Sequence, residues 1–274
     1  MGEVLFGLFR SGLEALTAGV AAAGMAAAYG RLAVRFGWVK PNADGRPVPA
    51  GTGLALALGW GAALVADHAL LPDPADRPKA PAVAAGLLAV AATGWVDDAF
   101  GTTAVRGILG HLRAIRRTLR PTTGGLRLVV YPVAGALGAA ASGAPPAWGA
   151  LLFSTLAHGL NLLDKRPLRA LKAFALVALP AFSFGGPPAG AAFFGGLVPL
   201  LSADRRKTAL FGEAGVATLA WALFFPLLQA PPAVAGGVWA VFAGLAALAE
   251  RTSLSARIER SRRLSALDRL GVRP

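Results

Sequence analysis

The chain has 274 residues, is 55% hydrophobic and only 15% charged, and carries a formal net charge of +13. That is too apolar for an ordinary soluble domain, and its blocks of Ala, Leu, Val and Gly are long enough to cross a bilayer. With no cysteine, disulfides, thiolate catalysis and Cys-ligated zinc are excluded, and three histidines are a poor basis for any zinc site.

Apolar segments run at about 11 to 30, 50 to 71, 80 to 97, 125 to 142, 146 to 163, 168 to 184, 187 to 203, 214 to 230 and 233 to 249. Most have the roughly 17 to 22 residues that a helix rising 1.5 Å per residue needs to cross about 30 Å of hydrocarbon. The pattern predicts an all-α, polytopic membrane protein with nine transmembrane helices, or ten, over residues 1 to 250, and a basic tail over 251 to 274. The segments at 168 to 184 and 187 to 203 are the least distinct, because only "FGGPP" separates them and Lys172 interrupts the first. The first apolar stretch carries Arg10 and Glu14 and is followed by basic residues, which reads as a retained span rather than a cleaved signal. Arg10 and Glu14 are four apart and spaced to pair, whereas Asp67 and His68 near the far end of the second span read as solvent contacts.

Of the 27 Lys and Arg residues, all but Arg10, Arg77 and Lys79 follow odd-numbered spans. By the positive-inside rule those connections are cytoplasmic, the N-terminus is outside, and the tail is inside. The chain therefore reads as a multi-pass plasma-membrane protein, its positive charge an orientation signal and not a nucleic-acid footprint.

The stretch "AATGWVDDAFG" ends an apolar run on Asp97 and Asp98. An aspartate at the bilayer centre costs roughly 2.5 to 3.5 kcal/mol, so this pair belongs at a membrane face or in a wet cavity. Asp164, Asp204 and Glu213 also fall at cytoplasmic span ends, as do "KPNADGRPVPAGTG" and "PTTGG". Acids and bases converging on one face describe a site for Mg²⁺ and phosphates, with carboxylates as hard ligands and Lys or Arg on phosphate oxygens. Two close carboxylates repel, so such a pair can divide into metal ligand and proton acceptor. Two basic stretches, "AVRGILGHLRAIRRTLR" and "TSLSARIERSRRLSALDRLG", have amphipathic helical spacing that suits an anionic leaflet or a plain solvated face.

The segments "GRPVPAGTG" (45 to 53), "GWVDDAFG" (94 to 101), "GHLRAIRRTLRPTTGGLRL" (110 to 128), "NLLDKRP" (161 to 167) and "ALFGEAG" (209 to 215) occur in that order at cytoplasmic boundaries. Together they resemble the polyprenyl-phosphate N-acetylhexosamine-1-phosphate transferase superfamily, the MraY and WecA type of glycosyltransferase family 4. The resemblance implies transfer of a HexNAc-1-phosphate from a UDP-sugar to polyprenyl (undecaprenyl) phosphate, with release of UMP, in cell-envelope glycan synthesis. It implies Mg²⁺, with Mn²⁺ as a substitute, and as partners polyprenyl phosphate, a UDP-sugar, membrane lipids and a second copy in a homodimer. Asp97 and Asp98 match the family's Asp-Asp pair, assigned to the lipid phosphate and the metal. Asp164 and Asn161 match the end of its Asn-x-x-Asn-x-x-Asp motif, and Glu213 matches a metal-binding Asp. Arg46, Arg127, Lys165 and His111 are the implied phosphate contacts.

Three departures stand out. Glu213 replaces Asp, and its extra methylene moves the carboxylate by more than about 1 Å, a shift large enough to matter for rate. His158 stands in place of the motif's first Asn, and "DKRPL" lacks a second acid. These departures keep open a non-catalytic relative that binds polyprenyl lipid or scaffolds envelope-synthesis partners. A transporter is the third alternative, disfavoured because the charges gather at one face instead of deep within spans.

Overall fold

A computed structural model of the chain describes residues 2–70, 79–101, 110, 113, 116, 117 and 122–272. The described residues are mostly helical: α1 Gly2–Phe36, α2 Leu54–Leu70, α3 Lys79–Phe100, α4 Thr123–Ala141, α5 Pro146–Leu163 and α6 Arg169–Ala181. After a 3₁₀ turn at Phe182–Phe184 come α7 Gly190–Arg205, α8 Gly212–Gln229, α9 Pro232–Ala249, α10 Leu254–Arg260 and α11 Arg262–Arg269. The one departure from all-α among them is a short hairpin, β1 Val39–Pro41 antiparallel to β2 Pro47–Pro49, which the polar composition of that loop did not announce.

Each apolar segment of the sequence overlaps one of α1 to α9. The two poorly separated segments are distinct helices, because the intervening Gly185 takes φ +141° and two prolines follow it. Four stretches among the described residues are long and apolar enough to cross a membrane: Phe9–Phe36, Pro81–Phe100, Thr123–Ala141 and Pro232–Ala249.

Helix α8 is the axis of the assembly. Every residue from Gly212 to Leu227 is buried, as expected of a helix that is apolar all round. It packs against α2, α3, α5 and α6, while α4 bridges α3 and α5. Its Trp221 meets Phe153 edge-on at 5.0 Å and donates from Nε1 to the Val83 carbonyl at 3.1 Å. The outer helices invert the pattern of a soluble protein: Leu16 and Val20 on α1 and Leu176 and Leu179 on α6 are all at least 65% exposed. Large apolar side chains on the outer faces, around a core that is itself apolar, are consistent with a hydrocarbon surrounding.

Backbones approach closely where glycines meet. On α7 a Cβ at Gly195 would sit 1.9 Å from the Ala15 carbonyl oxygen of α1, and one at Gly19 would sit 2.9 Å from the Gly195 carbonyl oxygen. At the same end of α1, Arg10 donates to Glu14 at 2.7 Å, as its spacing predicts. Asp67 is not merely solvated as the sequence suggested, because it accepts from Arg10 across the α1–α2 contact.

The basic tail folds back on the chain. Arg169, 6% exposed, makes a two-pronged contact with Asp268 at 2.6 Å on each arm and reaches Ser255 at 2.9 Å. Lys172 donates to the carbonyls of Leu267 and Asp268. The Arg169 guanidinium beside Asp268 holds its carboxyl below the usual carboxylate range. The tail is thus tied to the start of α6, while Leu264, Leu267 and Leu270 remain exposed. Most of the other amphipathic stretch, at 104 to 120, lies outside the described residues.

Gly195→Leu should overpack the α1–α7 contact and lower stability by about 1–3 kcal/mol or more. The measurement is thermal unfolding of the detergent-solubilised protein. Gly236→Leu, where a Cβ would meet nothing within 4 Å, should leave the melting temperature unchanged.

Candidate functional site

Four of the sequence segments meet at the N-terminal end of α8. The loop after the hairpin is tied to the α7–α8 connection by backbone bonds: Thr52 N–H to Leu210 O at 3.1 Å, Gly53 N–H to Phe211 O at 3.0 Å, and Leu210 N–H to Pro49 O at 2.9 Å. The Thr52 hydroxyl adds a bond to Leu210 O at 2.9 Å. Residue 53 must be glycine here, since a Cβ would lie 2.1 Å from the Gly215 Cα. The segments around 45 to 53 and 209 to 215 are therefore one structural unit.

Asp98 enters this unit from the last turns of α3. Its Oδ1 accepts from the Glu213 N–H and its Oδ2 from the Ala214 N–H, both at 3.0 Å, and it is 7% exposed. The first N–H groups of a helix have no partner within it, and the positive end of the helix dipole favours an anion there. Asp98 supplies both needs for α8. Gly51 and Gly212, each at φ +77°, flank the carboxylate, and a Cβ at Gly212 would stand 2.5 Å from Asp98 Oδ2.

Asp97 points elsewhere. Its Oδ1 accepts from the Thr123 hydroxyl at 2.7 Å, and its Oδ2 lies 3.5 Å from Arg127 Nη2. Its backbone carbonyl accepts from Lys40 Nζ at 3.0 Å. Thr123 is in place because Thr122 caps α4, its hydroxyl accepting from Gly125 N–H at 2.9 Å. The "PTTGG" turn thus starts a helix and aims a hydroxyl at the acid pair.

Arg127, one turn further along α4, joins the two sides. Its Nη1 is 2.6 Å from Glu213 Oε2, and the Tyr131 hydroxyl, another turn on, donates to Glu213 Oε1 at 3.2 Å. Glu213 is 4% exposed, Arg127 17% and Asp97 22%, so the open edge of the cluster is the Asp97–Arg127 side.

Asp164 ends α5 and is half-buried. Burial and the neighbouring Asp204 push its carboxyl up to about 8 against the pull of Lys165. It is near enough to Asp98 and Glu213 to feel their charges. Asp204 is itself turned to the backbone, accepting from Leu168 N–H at 2.6 Å.

Of the residues singled out in the sequence, Asp97, Asp98, Glu213 and Arg127 come together, and Asp164 stands beside them. Lys165 is exposed next to Asp164, and Asn161 is half-buried one turn earlier, its carbonyl accepting from the Asp164 N–H at 3.1 Å. Arg46 is not brought to the carboxylates: it is exposed at the hairpin turn, where its backbone N–H donates to Asn42 Oδ1. His111 lies outside the described residues. Sequence reasoning missed Lys40, Thr123 and Tyr131 as members. Tyr131 was discoverable from its i+4 spacing to Arg127, but no local signal shows Lys40 reaching α3.

The donor set does not fit a divalent cation well. All six oxygens of Asp97, Asp98 and Glu213 already face protein donors, and the guanidinium lies between Asp97 and Glu213. Among the described residues no group of three or more His, Cys, Asp or Glu side chains is placed to hold a metal. A cavity of about 370 Å³ lies away from this cluster, lined by Arg10, Glu14 and Asp67 near the other end of α1 and α2. In comparison with known proteins, no family model matches the chain and no curated protein matches it.

Asp98→Ala should strand two buried N–H groups at about 1–3 kcal/mol each. Asp97→Ala, at the open edge, should cost clearly less. Melting temperatures of the two variants, measured side by side, check the division of labour.

Proposed function

We propose that the protein is a multi-pass membrane phosphoglycosyl transferase that moves a sugar-1-phosphate from a UDP-sugar to polyprenyl phosphate at the cytoplasmic face. In this reading α1 to α9 are the nine spans, the N-terminus is outside and the tail is cytoplasmic. The observation that carries it is the meeting of segments 45–53, 94–101, 122–128 and 209–215 around Asp97, Asp98, Arg127 and Glu213. Segments so distant in sequence converge on acids and bases at the start of α8, with the Asp97–Arg127 side as the exposed edge.

The transfer forms a bond from a lipid phosphate oxygen to the sugar-bearing phosphorus and breaks the bond from that phosphorus to the UMP oxygen. Reactions of this kind depend on positioning and charge neutralisation. Lys40 and Arg127 are the cations on hand, and the Asp97 carboxylate at the open edge is placed to orient an incoming acceptor. Mg²⁺ is the cofactor implied by the sequence resemblance; because the donors present are already engaged, no step is assigned to it.

A second reading, a non-catalytic relative that binds polyprenyl lipid or scaffolds envelope-synthesis partners, is favoured by one feature. Every oxygen of the three clustered acids has a protein partner, which is the state of a structural network at rest. UMP release by purified protein with undecaprenyl phosphate and a panel of UDP-sugars separates the two. The transferase reading expects turnover that Asp97→Asn lowers by about 10²-fold or more. Retained binding of the lipid phosphate with no UMP from any donor would replace it with the second reading.

A further inference from the structure

The acidic cluster has the composition of a metal site but the wiring of an ion-pair network. We infer that the Arg127 guanidinium is the resident cation of this site and holds the place a divalent ion would take between Asp97 and Glu213. Three features carry this.

The first is position: Nη1 lies 2.6 Å from Glu213 Oε2, and Nη2 lies 3.5 Å from Asp97 Oδ2. One arm of the guanidinium makes a close charge-assisted contact with Glu213 and the other faces Asp97 at ion-pair distance, so it occupies the region from which an ion would contact both. The second is reach. Glu213 stands where the resemblance calls for aspartate, and the extra methylene lets its carboxylate meet Arg127 and the Tyr131 hydroxyl together. The third is surroundings. Glu213 is 4% exposed, and Asp98 is committed to the α8 N-terminus. Mg²⁺ keeps several waters and demands near-octahedral coordination, which a dry carboxylate already holding a guanidinium does not offer.

The site therefore carries its own neutralising charge, and a divalent ion entering it meets a fixed positive group. This deepens the proposed function and rests on the same residues. Its readout is metal binding itself, so loss of the transferase reading leaves it standing, and its own failure leaves turnover to be judged separately.

The experiment is Mn²⁺ binding, followed by electron paramagnetic resonance, on the full chain in a maltoside detergent. Wild-type protein should bind no Mn²⁺ that Asp97→Asn removes. Arg127→Gln, purified with and without Mn²⁺, should gain a Mn²⁺ site that wild type lacks, because the freed carboxylates then have no counter-charge. That gain should vanish in Arg127→Gln combined with Asp97→Asn, and Mn²⁺ should raise the melting temperature of Arg127→Gln alone. Arg127→Ala is the second variant, read the same way, if the glutamine amide itself pairs with Glu213. Wild-type Mn²⁺ binding that is lost in Asp97→Asn or Glu213→Gln would overturn the inference. So would folded Arg127 variants that bind no more Mn²⁺ than wild type.

Discussion

The cap that Asp98 places on α8 is the constraint on which the rest of the structure depends. A helix buried on every side needs partners for its first N–H groups, and water is not available to provide them. Asp98 meets this from α3, and the close glycines at 51, 53 and 212 let the surrounding loops fold down on the same point. Once α3 and α8 are fixed to each other, α4 is positioned by its own cap at Thr122, and Thr123, Arg127 and Tyr131 fall in register along its inward face. The site is thus largely a consequence of how the central helix begins.

One pair of adjacent aspartates consequently has two different roles. Successive helical residues point about 100° apart, so Asp98 is directed at the α8 terminus and Asp97 at α4 and the outer edge. The first is a buried cap for α8; the second is the more exposed of the two, at the outer edge of the cluster. Removing Asp98 would disturb both stability and any chemistry, so its variants report less cleanly on function than those of Asp97.

Much of this was legible in the sequence because hydrophobic length and charge placement are strong signals in a membrane-type chain. The positions of nine apolar helices, the gathering of Asp97, Asp98, Asp164 and Glu213 at one end, and the Arg10–Glu14 pair could all be read directly. The partnerships could not. That both Asp98 oxygens serve backbone donors, or that Arg127 joins Glu213 to Asp97, depends on how α3, α4 and α8 are rotated about their axes, and apolar runs with no polar stripe do not specify rotation. Asp67 was misjudged for the same reason, since its partner lies on another helix. The tail read as a basic amphipathic stretch for an anionic leaflet or a solvated face; its tie to the buried Arg169 carries no sequence signal.

The central claim, that a buried Arg127–Glu213 pair joins α4 to the start of α8, is tested most directly by a double-mutant cycle. Unfolding free energies would be measured for Arg127→Met, Glu213→Leu and the double variant in mixed detergent. The pair predicts that each single variant strands a buried charge and that the double variant recovers about 2–3 kcal/mol relative to their sum. Single effects that simply add, to within about 0.5 kcal/mol, would contradict it.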